Sequence, residues 1–129
     1  MKLTSVHEAT DGEPLGPEHF IGRAAQKVLY RVRDPQRFAV GLVRFERAAR
    51  NDWHTHTGGQ VLQVVEGHGY AQSRGGPVHP IEVGDIVVID PGEEHWHGAA
   101  EDSVLAHIAI TVGEINWVSQ RSATTPDRS

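Results

Sequence analysis

The chain contains no cysteine, which removes disulfide scaffolds, thiolate nucleophiles and cysteine-ligated zinc or iron–sulfur centres from consideration. Clusters of basic residues are also lacking. Twelve Lys and Arg face seventeen Asp and Glu, a formal charge of −5, so a surface that tracks nucleic-acid phosphates is not expected. Long apolar runs are missing as well: Met1-Lys2-Leu3-Thr4 opens without the hydrophobic stretch of a signal peptide, and no segment approaches a membrane span. The expectation is a soluble, cytoplasmic protein with no membrane partner. A chain of 129 residues has room for one domain, spanning 1–129. With 38% hydrophobic residues it should bury roughly two-thirds of its unfolded surface, so neither metal nor disulfide is needed merely to fold. What the chain has in excess is histidine, nine residues beside a single methionine, and imidazole is therefore where chemistry is sought.

Helical periodicity is another absence. After residue 36 no apolar 3.6-residue period is sustained, which argues against alternating strands and helices. Short alternating runs appear instead. Phe38–Phe45, Val61–Glu66, Gly69–Ser73, Val78–Val83, Ile86–Asp90 and Ser103–Val112 read as strands, separated by Gly67, Gly75-Gly76, Gly84-Asp85 and Pro91-Gly92. Such spacing predicts an all-β sandwich or barrel. Residues Thr4 to about Pro17, rich in Gly and Pro, read as an arm without its own core, and Tyr30 to Pro35 is interrupted by charges. The polar tail after Val118 is expected to be mobile.

His54 and His56 stand two residues apart in Trp53-His54-Thr55-His56, and the two-residue period of a strand puts both imidazoles on one face. Gln60 follows beyond the flexible Thr57-Gly58-Gly59 and can turn back toward the same point. A second pair, His95 and His97, occurs in Pro91-Gly92-Glu93-Glu94-His95-Trp96-His97. One His-x-His alone would be unremarkable. Two pairs, each preceded by turn residues and joined to an apolar strand, favour metal binding.

These residues resemble the two sequence motifs of the cupins. In the first motif a glycine precedes a His-x-His pair, an acidic residue follows shortly, and a second glycine closes it. His54, His56, Gln60 and Gly67 match this spacing, with Ala48 replacing the leading glycine and Gln60 replacing the acid. Gly84, Gly92 and His95 match the second motif, with Asp90 where proline is usual and Ala99 where asparagine is usual. The resemblance covers residues 38–112 and implies a jelly-roll, or double-stranded β-helix, barrel. It also implies one divalent metal ion held by His54, His56, Gln60 and His95. Within the cupins, Trp53-His-Thr-His, Gly59-Gln60 and Pro91-Gly-Glu-Glu-His-Trp-His-Gly-Ala are similar to a bacterial subgroup that includes manganese-dependent hydroxynitrile lyases. That subgroup also carries a histidine in the last long strand, here His107.

Three imidazoles and an amide are neutral, so the charge of a divalent ion would stay uncompensated and anionic ligands would be favoured. Without sulfur the set suits Mn, Fe, Ni, Zn or Co, and the resemblance puts manganese first. Open coordination positions would permit a Lewis-acid role toward a small-molecule substrate. His97, on the strand face of His95, or His107 would move the proton. The leading expectation is a metal-dependent lyase for small hydroxy or carbonyl compounds, with cyanohydrin cleavage and synthesis as the nearest named activity. An iron-dependent dioxygenase and a non-catalytic metal or small-ligand binding module are the rivals. Trp96 and Trp53 read as packing residues, and Glu93 and Glu94 as turn residues, one of which could orient an imidazole. His7, His19, His68 and His79 receive no role. Because a small jelly roll leaves strand edges and an unattached arm, a homodimer is expected.

Overall fold

The computed structural model describes residues 1–4 and 12–118; the rest of the arm, with His7, and the tail after Val118 lie outside them. The described secondary structure is strands. In chain order these are β1 (Glu13–Pro14), β2 (Phe20–Ile21), β3 (Ala24–Val32), β4 (Phe38–Phe45), β5 (Arg50–Asn51) and β6 (His54–His56). There follow β7 (Gln60–Ser73), β8 (Val78–Glu82), β9 (Ile86–Ile89), β10 (His95–Ala99), β11 (Leu105–Val112) and β12 (Ile115–Trp117).

All pairings are antiparallel and wrap one sheet into two facing layers. The first layer runs β1-β3-β4-β11-β7-β9. In the second, β7 lies between β8 and β10, β10 pairs with both β5 and β6, and these carry β2 and β12. This is the jelly roll. Inward positions alternate along each strand and meet between the layers, where Phe45, Leu62, Val64, Leu105 and Ala99 are sealed from solvent. In that packed layer each large aliphatic side chain contributes roughly 1.5–3 kcal/mol by leaving water.

Two strand assignments change. Val61–Glu66 and Gly69–Ser73 are halves of one strand, β7, which pairs with β11 and β9 before Gly67 and with β8 and β10 after it. Gly67 bends this strand without ending it. Its φ of 71° is in the left-handed region, and a Cβ there would come within 1.8 Å of the Val104 carbonyl oxygen, so no other residue fits the bend. The second change is β3, whose alternation is masked by Lys27 and Arg31 and by a register shift between Val28 and Tyr30. It pairs along the whole of β4, so the sheet extends beyond residues 38–112. Glu13 and Pro14, in the arm, pair with Gln26 and Ala25 at the outer edge of β3. No helix among the described residues is long and apolar enough to cross a membrane.

Candidate metal centre

The antiparallel register of β6 and β10 sets His54 opposite His95, which joins two histidine pairs that lie far apart in sequence. Alternation then turns His56 and His97 toward the same interior, and all four are buried. Ring centroids are 4.2 Å apart for His54 and His95, 5.0 Å for His54 and His56, and 5.4 Å for His56 and His95. Gln60 enters at the start of β7, after Gly59 has turned the chain with φ 86°.

Hydrogen bonds orient these groups. The Asp52 carbonyl lies 2.7 Å from His54 Nδ1 and the Glu93 carbonyl 2.9 Å from His95 Nδ1. A carbonyl only accepts, so each Nδ1 carries the proton and each Nε2 keeps its lone pair. The Gln60 amide donates through Nε2 to Thr111 Oγ1 at 2.9 Å. Its Oε1 thus faces His95 Nε2, at 3.3 Å. Two acceptors oppose each other across that gap, and both ring nitrogens of His56 are buried without a hydrogen-bond partner.

A proton is a poor solution to this convergence of lone pairs. Burial, then the charge of a neighbouring His95, pushes the His56 pKa down to about 4. Burial first and His95 second hold His54 well below its ordinary value, and burial also lowers His95. A cation satisfies what a proton does not, so His54, His56, Gln60 and His95 fit one divalent ion with oxygen and nitrogen donors. The donor nitrogens of His54, His95 and His97 also lie within 4.8 Å of one another and could hold a metal ion. His97 differs in having hydrogen-bonding neighbours at both ring nitrogens, whereas the group acting on His56 is Gln60, itself in the proposed set.

Behind the ligand group lies a second polar set. His107 Nε2 is 3.1 Å from His97 Nδ1, and Asn51 from β5 meets the His97 ring and backbone. Phe45 packs edge-on against His97 and tilted against His107. Both rings are held neutral. Burial drives His107 to about 4, and burial followed by the charge of His107 drives His97 well below its ordinary value.

A cavity of about 760 Å³ opens onto His54, His56, Gln60, His97 and His107. Its apolar walls include Leu15, Phe20, Val43, Ala109, Ile115 and Trp117. Arg37, at its rim, pairs with Asp34 and Glu114. The arrangement offers a small molecule one polar end at the histidines and an apolar surround.

The remaining sequence-derived roles divide. Trp96 is fully buried, donates Nε1–H to Gln72 Oε1 at 2.8 Å and lies beneath the Arg50 guanidinium. Trp53 carries the Arg74 guanidinium over its ring. Glu93 orients His95 through its backbone carbonyl, while its carboxylate accepts from Ser73 Oγ and the Asp90 N–H. Glu94 pairs with Arg74. His68 lies beside Asp102, and exposed His79 on β8 pairs opposite Ala71. His19 has more to do than sequence reading assigned: it stacks on Trp117 at 4.0 Å, and Trp117 in turn lies 5.0 Å from the His54 ring. Asn51, Thr111 and Trp117 were not singled out by the sequence, because the contacts that matter are made across strands.

Residues 41–111 match the cupin domain family. The chain therefore belongs to the cupins, which agrees with the jelly roll and with the buried histidine cluster. An (R)-mandelonitrile lyase from Granulicella tundricola is 42% identical over 111 residues, covering 85% of this chain and 83% of that protein. A cupin-like protein from Thermotoga maritima superposes with a TM-score of 0.78 at 38% identity, covering 87% of this chain and 88% of the other. A polyketide cyclase from Streptomyces resistomycificus shares the fold at 15% identity, with a TM-score of 0.72 over 99% of this chain and 89% of that one.

Proposed function

We propose that this cupin is a metal-dependent lyase acting on a small hydroxy or carbonyl compound, with cyanohydrin cleavage and synthesis as its reaction. The observation that carries the proposal is the convergence of neutral His54, His56 and His95 with Gln60 Oε1, beside a buried His97–His107 pair and an apolar cavity. The resemblance to an (R)-mandelonitrile lyase supports the choice of reaction. His54, His56, Gln60 and His95 hold one divalent ion per chain, manganese in first place and Fe, Ni, Zn or Co as alternatives. When bound, that ion supplies Lewis-acid stabilisation of negative charge.

The chain's own residues handle the proton. His97 and His107 are catalytic: a neutral imidazole of the pair accepts the cyanohydrin hydroxyl proton, the oxygen electrons form the carbonyl double bond, and the carbon–carbon bond to cyanide breaks. Cyanide departs with that electron pair, and the imidazolium returns the proton to give hydrogen cyanide. Synthesis is the reverse. The apolar walls of the cavity, Phe20, Val43 and Trp117 among them, hold the organic part of the substrate and keep water from the carbonyl.

The working protein is one domain over 1–129 with its barrel core in 38–112, cytoplasmic and a homodimer. A dimer is supported by apolar side chains on the outer face of the first layer, where Ile110 lies between Val40 and Val61, with Val88 beyond. A monomeric mass at micromolar concentration would remove the dimer from this reading. The reaction itself is tested with mandelonitrile, comparing wild type, His97→Ala and His107→Ala at matched metal content, with and without oxygen. Metal-dependent, oxygen-independent cleavage that falls by at least about 10²-fold in the variants is expected. Wild type with no metal-dependent cleavage overturns the lyase, and activity that needs oxygen makes the protein a dioxygenase.

A further inference from the structure

We infer that Arg31, turned into the cavity by a bulge in β3, is a specificity-determining residue: it docks a carboxylate at the end of a small substrate remote from the histidines. The inference starts from strand register. Along the first part of β3, Ala24 lies opposite Phe45, Gln26 opposite Val43 and Val28 opposite Gly41, so the even-numbered residues share the inner face of β4. Leu29 is then left without an opposite number, and pairing resumes with Tyr30 opposite Val40 and Arg31 opposite Ala39. One inserted residue exchanges the two faces for everything that follows it. Without Leu29, Tyr30 would face inward and Arg31 outward. With it, Tyr30 joins Val40 on the apolar outer face and Arg31 lines the cavity.

So placed, Arg31 ends a row that leads to the proposed ligands. Ala39 lies opposite both Arg31 and Thr111, and Thr111 lies opposite Gln60. The row crosses three strand spacings, roughly 14 Å along the sheet. Its middle members are short, and in the next row Gly41 and Ala109 are smaller still, which leaves room between the two ends for a single ring or a short carbon chain. The charge at the mouth is available. Arg31, Arg33, Arg37, Asp34 and Glu114 line the cavity there, and Arg37 engages both acids. Arg31 and Arg33 are exposed and have no ion pair among the described residues. Three guanidiniums against two carboxylates leave one positive charge in excess, on a chain whose net charge is −5. A guanidinium takes a carboxylate through two parallel N–H···O bonds, and one excess charge matches a monoanion. Resting on the lyase reading above, the substrate class is a cyanohydrin, with the aldehyde or ketone it yields, whose organic part ends in a carboxylate.

The test reads binding before turnover. The full chain, stripped of metal so that no ion competes for the acid, is titrated with para-(hydroxymethyl)benzoate and with the uncharged para-(hydroxymethyl)benzamide, and backbone amide resonances are followed by NMR. Wild type should bind the acid about tenfold more tightly than the amide, with shifts on β3, and added salt should narrow the difference. Arg31→Gln should abolish the preference, and Arg31→Lys, which keeps the charge but not the fork, should retain part of it. Deletion of Leu29 keeps every charge but returns Arg31 to the outer face, so a folded deletion variant that still prefers the acid overturns the inference. Equal binding of acid and amide by wild type, or no detectable binding of the acid, overturns it as well. So does an undiminished preference in Arg31→Gln, the result expected of an arginine that merely shields the edge of β3 from pairing. In the metal-loaded chain Arg31→Gln should raise KM for para-carboxymandelonitrile about tenfold and lower kcat far less. Acid-selective binding by a wild type that cleaves no cyanohydrin would sink the lyase proposal and leave the role of Arg31 intact; cleavage without that selectivity would do the reverse.

Discussion

His107 ties the stability of the metal-free chain to pH, and replacing it should remove one identifiable part of that dependence. The side chain is wholly buried between Phe45 and His97, and burial lowers its pKa from 6.5 to about 4. A base with a depressed folded pKa takes up its proton in the unfolded chain first. Stability is thus intact above 6.5, falls as pH drops through the interval to about 4, and levels off below it. At pH 5 an unfolded histidine is almost fully protonated while folded His107 is almost neutral, a penalty of roughly 2 kcal/mol relative to pH 8. His107→Gln keeps a side chain that can either accept from or donate to the His97 ring and cannot titrate. Urea unfolding of chelated wild type and His107→Gln at pH 5 and pH 8 provides the measurement. Wild type should lose roughly 2 kcal/mol more than the variant across that range, whatever their difference at pH 8. Equal losses would mean that His107 is charged in the folded chain or reached by solvent, and the account of a neutral histidine pair would fail with it.

Other consequences can be checked separately. His56→Ala should abolish stoichiometric metal binding by elemental analysis while the circular dichroism of the apo chain is retained; full occupancy would give its place among the ligands to His97. Gln60→Glu should keep the ion but weaken azide binding in a titration followed by the metal's spectrum, because an added negative charge opposes the anion. Tighter azide binding would contradict the neutral ligand set. Leu62→Ala, which opens a void in the sealed layer between β7 and its neighbours, should cost roughly 2–5 kcal/mol in denaturant unfolding. A loss well under 1 kcal/mol would show that this position is not packed as described.

The buried histidine cluster was legible in the sequence because both histidine pairs follow the strand period of two, so that each imidazole's neighbour on the same face is also an imidazole. Pro91-Gly92 precedes the second pair, and Thr57-Gly58-Gly59 separates the first pair from Gln60. In the sequence β7 looks like two strands, because a glycine between apolar runs is the usual mark of a turn, and only the pairing of both halves shows that Gly67 serves as a bend. β3 is hidden in the sequence because charged residues on its exposed positions and a bulge break the alternation. Asn51 illustrates the larger difficulty: its partner, His97, is on β10, and the two are brought together by long-range pairing that no local pattern encodes. His19 likewise reaches the centre through Trp117, from the opposite end of the chain.

The short strand β12 runs antiparallel along β6, with Trp117 opposite His54 and Ile115 opposite His56. A three-residue strand with largely exposed positions is among the first parts of a fold to open, yet this one is laid over two of the proposed ligands. The cavity already reaches His54, His56 and Gln60, so β12 is not needed to admit an ion; it holds the β6 backbone in register, and a substitution at Trp117 is expected to loosen the set of His54 and His56 without removing any atom proposed to bind the ion.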